Sequence, residues 1–228
     1  RSSKKQGIRS VDKICHRMEL GKDTYTLGKI RPEMEEELCR VLADFVRIME
    51  GYRVDDYRAT ASSAISEASN SLYVLGKIHQ LTGLSVTVLS NSEQRFLSYK
   101  ALAAMEDNFN KIIEKGTAIL DLDGGSFQIS LFDKDALVTT QNIRMGSLRI
   151  RERLAGIQSE TEHYEGMVEE LIWNEVSSFK KMYLKDRKIE NIMLIGDVFT
   201  DSVYQNIEEK TTKIISRENF NTWYEKII

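Results

Sequence analysis

The chain has 228 residues, 41% of them hydrophobic, and a formal charge of −3. That length suits one large domain or two of about 100 residues each, and the apolar share is enough for packed cores and excludes a disordered chain. The near-neutral balance gives no electrostatic ground for general nucleic-acid binding, and the lack of an apolar run of about 18 residues leaves no membrane span and no membrane partner to expect.

Residues 1–10 are polar and basic and read as a loop without the apolar core of a signal peptide. Val11 to Leu20 reads as a strand leading to a turn at Gly21. Cys15 and Cys39 have no CxxC partner and are expected as reduced thiols of a cytoplasmic protein. His16, His79 and His163 are too scattered for zinc. Pro32, the only proline, sits where a first helical turn needs no N–H. Met34, Leu38, Val41, Leu42, Phe45 and Met49 follow at helical spacing. Glu33, Glu35, Glu36 and Glu37 crowd the start, which suits the helix macrodipole, and read as a solvated face.

Asp56 to Ser62 reads as a short strand. Ser62 or Ser63 then caps a helix expected to run to about Leu81 and to close at Gly83. Leu84 to Leu89 is a strand. The next helix starts at once, with Ser90 or Asn91 as its cap and Glu93 or Gln94 completing a capping box. Phe96, Leu97, Ala101 and Leu102 are its expected buried side, and Asp107 to Gly116 reads as a connection.

The stretch Ala118 to Phe132 reads as strand, glycine turn, strand. Ala118 to Leu122 is apolar except for Asp121, and Phe127, Ile129 and Leu131 alternate with Gln128, Ser130 and Phe132. Asp123-Gly124-Gly125-Ser126 between them has two readings. One is a plain hairpin turn. The other is a phosphate-handling arrangement, in which glycines let backbone N–H groups approach an anion, Ser126 donates, and Asp121 holds a cation or a water. Asp135 to Ile143 gives a further strand, and an amphipathic stretch runs through Leu154. Glu160 to Leu184 carries the longest helical pattern. Asn191 to Ile195 is a buried strand ending at Gly196, and Ser216 to Ile228 reads as a capped helix.

Four of these stretches, Ala61-Ser-Ser-Ala-Ile-Ser-Glu-Ala-Ser-Asn70, Leu89-Ser-Asn-Ser-Glu-Gln-Arg95, Asp121-Leu-Asp-Gly-Gly-Ser-Phe-Gln128 and Met145-Gly-Ser-Leu-Arg-Ile-Arg-Glu152, carry a resemblance. Their order and spacing resemble the exopolyphosphatase/guanosine-pentaphosphate phosphohydrolase (Ppx/GppA) family of the actin-like ATPase superfamily. That family's patterns there are ATSALREAxN, SGxEEAxL, DIGGGSTE and GAVRLTE. The resemblance runs from about Leu20 to Gly196. It implies an α/β, actin-like (ribonuclease H-like) fold of two subdomains with a cleft between them, divided here into 1–116 and 117–228. It also implies a first hairpin with a DxGSNxxR loop. Nothing before Val11 matches that loop, so the chain is expected either to be truncated there or to have lost it, and to stop short of closing its second sheet.

The activity implied is hydrolysis of the terminal phosphate of inorganic polyphosphate or guanosine pentaphosphate, with Mg²⁺ as cofactor. The alternative is a catalytically impaired member acting as a nucleotide- or polyphosphate-binding regulator or an assembly protein. A homodimer is the expected assembly. Residue by residue, the family's water-activating glutamate falls on Gln94, and an amide cannot take a proton from water; Glu93, one position earlier, is the candidate to stand in as base, with the helix cap as its other reading. The motif's phosphate-contacting arginine falls on Ser66. Asp121, Gly124, Gly125 and Ser126 match the glycine motif, whereas Asp123 replaces its first glycine, Phe127 its threonine and Gln128 its final glutamate. Asp123 sets a charge beside the expected anion, a cost on the order of 4 kcal/mol at about 4 Å, unless a cation such as Mg²⁺ is held by Asp121 and Asp123. Arg149 matches the last motif's arginine, with an anion contact and a surface ion pair as its two readings. After Gly196 the family's glycine-threonine turn is reduced to Asp197-Val198-Phe199-Thr200.

Overall fold

The computed structural model describes residues 2–3, 7–8, 11–106, 108–156, 163–196 and 216–224, and the chain falls into two units, Arg1–Val88 and Leu89–Ile228.

In the first unit β1 (Ser2–Ser3) pairs antiparallel with β2 (Gly7–Ile8), where the sequence reads as a loop. Residues 11–19 form no strand, and a helix, α1 (Leu20–Leu27), begins where a turn was expected. Val11 and Ile14 are exposed, so the stretch has no apolar face to bury. Asp23, in the first turn of α1, is 1% exposed. Its carboxylate accepts from the Arg31 backbone N–H at 2.9 Å and from Arg31 Nε at 3.0 Å, which ties α1 to the start of α2 (Pro32–Gly51). Glu35 corrects the solvated-face reading of the acidic cluster, since it is buried and paired with Lys77 Nζ at 2.6 Å.

β3 (Ala59–Ala61) and β4 (Val86–Val88) pair in parallel. The helix expected between them is two helices, α3 (Ser63–Ser66) and α4 (Ser71–Thr82). The break has a physical cause: the Asn70 side chain accepts from Ile30 N–H at 3.0 Å and donates to Ile30 C=O at 2.8 Å, while Ser69 N–H donates to Gly28 C=O. Gly83 closes α4 in the left-handed conformation, as the sequence indicates. Ile30, Cys39, Ile65, Val74 and Ile78 form the core. Both cysteines are free thiols, Cys15 exposed and Cys39 buried.

The second unit is built on a four-stranded sheet ordered β7-β6-β5-β8, from β5 (Thr117–Leu122), β6 (Phe127–Asp133), β7 (Ala136–Ile143) and β8 (Asn191–Ile195). β5, β6 and β7 are antiparallel neighbours, and β8 runs parallel to β5. The period-two alternation of β6 divides its residues between two cores. Phe127, Ile129 and Leu131 pack with Phe179, Ile172 and Val176 of α8 (Tyr164–Tyr183). Phe132, with Ile119, packs on the other face against Tyr99 and Leu102 of α5 (Asn91–Met105) and against Phe109 and Ile113. Phe109–Ile113 is itself a short helix, α6, which corrects the reading of Asp107–Gly116 as a connection; burial of its two apolar residues holds it in place. The buried side of α5 is corrected as well. Phe96 and Leu97 are 57% and 37% exposed, and the helix faces the sheet with Ser98, Tyr99 and Leu102. After β7 comes α7 (Ser147–Leu154), and α9 (Arg217–Tyr224) begins after Ser216, whose Oγ accepts from Asn219 N–H.

Where β8 ends, Gly196 has φ +137°, and a Cβ there would lie 2.2 Å from Leu122 C=O, so only glycine fits. The residues Asp197 to Thr200 lie outside the described residues. Among the described residues no helix is long and apolar enough to cross a membrane.

Candidate functional site

A polar pocket lies at one end of the second unit's sheet. It is lined by Asn91 and Gln94 of α5, Asp121 of β5, Asp123 and Ser126 of the turn, Gln128 of β6 and Asn142 of β7. Strand register explains the grouping: Asp121 pairs with Gln128, and Gln128 with Asn142, which puts three polar side chains in one row across the sheet. The row lies towards the carboxyl end of β5 and of its parallel neighbour β8, where open α/β sheets hold ligands. The cavity is small, about 10 Å³, room for about one water.

The turn between β5 and β6 is self-contained. Asp123 N–H donates to Ser126 C=O at 3.1 Å. Asp123 Oδ1 accepts from both Gly125 N–H and Ser126 N–H, each at 2.7 Å. The turn's carbonyls are met by α7: Ser147 N–H donates to Asp123 C=O at 3.1 Å, and Arg149 N–H to Gly124 C=O at 3.0 Å. Arg149 Nε adds a 2.8 Å bond to Gly125 C=O, so this arginine braces the turn from outside. Gly146, the N-cap of α7, packs against the same backbone. A Cβ there would lie 2.4 Å from Gly124 C, Gly125 N and Ser126 N.

Asp121 is held from α5, where Ser98 Oγ donates to its Oδ2 at 3.0 Å. Burial pushes the Asp121 carboxyl above its ordinary value, the Ser98 bond opposes this, and the charge of Asp123 adds to it. Gln94 Nε2 reaches Asp123 Oδ2 at 3.5 Å, a long contact. Glu93 is exposed, and its carboxylate accepts from Ser90 N–H and Ser90 Oγ at 2.8 Å each, while Ser90 Oγ accepts from Glu93 N–H. That is the capping box foreseen in the sequence. Further along α5, Tyr99 OH donates to Ser130 Oγ at 2.6 Å, and Arg95 donates to Thr140 Oγ1 at 3.2 Å, so hydroxyl groups on two strands fix the helix over the sheet.

The structure therefore brings together Gln94, Asp121, Asp123, Ser126 and Gln128 of the residues singled out from sequence. It places Gly124, Gly125 and Arg149 in the wall behind them. Ser66 is an exposed residue at the end of α3 in the first unit. Sequence reading missed Ser98, Asn91, Asn142 and Gly146. Three of these had a signal: Asn91 and Ser98 share one helical face with Gln94, and Asn142 lies opposite Gln128 once the hairpin register is drawn.

Asp121 and Asp123 offer hard oxygen atoms suited to Mg²⁺, which uses one or two carboxylates and completes its shell with water or phosphate. Among the described residues no group of three or more His, Cys, Asp or Glu could hold a metal, so the pair is the extent of the carboxylate donor set. Burial first, and then the charge of Asp123, raises Asp121, and a cation would relieve the crowding of the two acids.

A sequence model of the Ppx/GppA phosphatase family matches residues 1–228. The bifunctional 3-dehydroquinate synthase/phosphatase of Fusobacterium nucleatum is 21% identical over 202 residues, covering 85% of this chain and 29% of that protein. Exopolyphosphatase 1 of Mycobacterium leprae is 29% identical over 108 residues, 47% of this chain and 30% of that protein. The chain thus spans under a third of the length of these curated relatives. Among solved structures, an exopolyphosphatase from Cytophaga hutchinsonii superposes with a TM-score of 0.71 at 20% identity, covering 91% of this chain and 68% of that one. An Aquifex aeolicus member of the Ppx/GppA family gives 0.65 at 20% identity, covering 91% and 66%. At these identities the superpositions show a shared fold.

Proposed function

We propose, from the premise that this chain belongs to the Ppx/GppA phosphatase family, that it hydrolyses the terminal phosphoanhydride bond of inorganic polyphosphate or of guanosine pentaphosphate. The observation that carries this reading is the pairing of two carboxylates, Asp121 and Asp123, with carboxamides and a hydroxyl around a water-sized cavity at the sheet end. Hydrolysis needs a water held in line with the bond to be broken and a group to take its proton. Gln94 can orient such a water but cannot accept a proton, and Glu93 serves the helix cap. Asp121 is the best-placed acceptor, because burial makes its carboxylate more basic than an ordinary aspartate. Ser98 holds one carboxylate oxygen and so fixes the plane of the group. As water attacks phosphorus, its proton passes to Asp121, the bond from phosphorus to the bridging oxygen breaks, and phosphate leaves the chain end. Ser126 and Gln128 are the donors on the pocket wall for phosphate oxygens. Mg²⁺, held at Asp123 and by the phosphate itself, would supply charge neutralisation and leave the Asp121 oxygen not bonded to Ser98 free to take the proton.

Phosphate release from polyphosphate and guanosine pentaphosphate, measured with and without Mg²⁺, tests the reading. Turnover that is lost on Asp121→Asn supports it, and no release above a buffer blank sinks it. A second reading, binding without hydrolysis, is favoured by one observation: the position of the family's base is an amide and the adjacent glutamate is engaged in a cap. Thermal stabilisation by either ligand with no product formed would select it.

A further inference from the structure

The backbone amides of Gly125 and Ser126 converge on one point 2.7 Å from each, and the atom there is Asp123 Oδ1. Two convergent N–H groups in a glycine turn are the usual means by which a backbone binds an anion. We propose that Asp123 is a built-in occupant of this anion position and thereby a specificity-determining residue: an oxyanion can use the turn amides only by displacing the Asp123 carboxylate. This deepens the reading of the pocket as a phosphate site and rests on it.

Three further observations bear on the point. The pocket's lining residues include no lysine or arginine, so nothing on that wall offsets the charge of an incoming oxyanion. The space enclosed beside Asp123 is about 10 Å³, room for about one water. The turn's carbonyls are bonded to α7 and Arg149, so the backbone cannot readily turn its amides elsewhere. The chemistry selected is therefore a phosphate that arrives with a cation able to draw the Asp123 carboxylate off the amides, in preference to a free oxyanion.

Occupancy and charge can be separated. Asp123→Asn keeps an Oδ1 acceptor for the two amides but removes the charge, whereas Asp123→Gly removes both. Titration with inorganic phosphate in the presence of a chelator, read by calorimetry and by the ¹⁵N–¹H shifts of Gly125 and Ser126, is expected to leave the wild-type amides unmoved. It should give Asp123→Gly an affinity at least about tenfold above that of Asp123→Asn, with both amides shifting. Equal affinities for the two variants would show that charge alone matters and would overturn the proposal. So would phosphate-induced shifts of these two amides in the wild-type protein, a result that needs no variant to fold. The measurement involves no turnover, so it separates the two ideas. Tighter binding by Asp123→Gly in a protein that hydrolyses nothing keeps this inference and removes the hydrolase reading. Turnover by the wild type with unchanged phosphate affinity in Asp123→Gly does the reverse.

Discussion

Replacing Gly146 with alanine is expected to dislodge the turn that walls the pocket. The added Cβ would stand 2.4 Å from Gly124 C, Gly125 N and Ser126 N, all backbone atoms with no rotamer by which to escape. Carbon contacts are comfortable at about 3.5 Å, so α7 and the turn must separate by about 1 Å. That separation strains the bonds joining them, Ser147 N–H to Asp123 C=O, Arg149 N–H to Gly124 C=O and Arg149 Nε to Gly125 C=O. Overpacking of this kind costs about 1–3 kcal/mol, and strain on three hydrogen bonds puts this site at the upper end of that range, so about 3 kcal/mol is the expected loss. For a chain of this size that is roughly 6–12 °C in Tm. Differential scanning calorimetry reads the shift. Gly76→Ala is the control: Gly76 is an exposed residue inside α4 with nothing within 4 Å of an added Cβ. It should gain about 0.5–1 kcal/mol from helix propensity. A Gly146→Ala protein melting within about 2 °C of wild type would refute the close packing of α7 on the turn.

Asp121→Asn should abolish turnover yet raise Tm at neutral pH. The Asp121 carboxyl is pushed up in the folded state by burial first, against the Ser98 bond and together with Asp123. A raised folded value means that the contribution to stability is fully present below the unfolded value of 3.8 and is lost as pH rises through the folded value. The variant's advantage should therefore vanish in melts taken below that pH. Asp23 behaves oppositely. Burial pushes its carboxyl up, but the hydrogen bonds and charge of Arg31 outweigh that and hold it below the ordinary 3.8. Its stabilisation is complete above that value and fades as pH falls through the lower folded one, so Asp23→Asn should melt lower than wild type at pH 7, the gap narrowing in acid. Glu93→Ala should cost about 0.5–2 kcal/mol through loss of the capping box, whereas Glu93→Gln should keep both stability and turnover. Loss of turnover in a stable Glu93→Gln would return Glu93 to the role of base.

What could be read from sequence is what is decided locally. Pro32 at a helix start, the Ser90–Glu93 box and the alternation of Phe127, Ile129 and Leu131 all appear in the structure because neighbouring residues alone determine them. The misreadings share the opposite cause. The break between α3 and α4 depends on Asn70 finding Ile30, forty residues away. Glu35 is buried only because Lys77 lies opposite on α4. Phe96 and Leu97 look like the core side of α5, but that helix lies over the polar row of Asp121, Gln128 and Asn142, and so its Gln94 and Ser98 turn inwards. The turn was half legible. Aspartate side chains often bond their own backbone two or three residues on, which is what Asp123 does, so the amides' occupant was within reach of sequence reasoning.

Gln94 and Asp123, the two departures from the family pattern that most affect the chemistry, touch each other. Gln94 stands where the family carries a glutamate, Asp123 where it carries a glycine, and Gln94 Nε2 faces Asp123 Oδ2 at 3.5 Å. A glutamate at 94 would set two carboxylates at that spacing, beside the third at Asp121, a repulsion on the order of 4 kcal/mol per pair at an effective dielectric near 20. With an amide at 94 the contact becomes weakly attractive, and the pocket keeps two acids instead of three. The two changes are thus physically coupled: a carboxylate has in effect moved from the helix to the turn. There its Oδ1 accepts from the Gly125 and Ser126 amides, while the amide at 94 on α5 cannot take a proton. Whichever function the pocket serves, reverting one of the pair without the other leaves either a crowded trio of acids or bare amides facing a wall whose one remaining acid is Asp121.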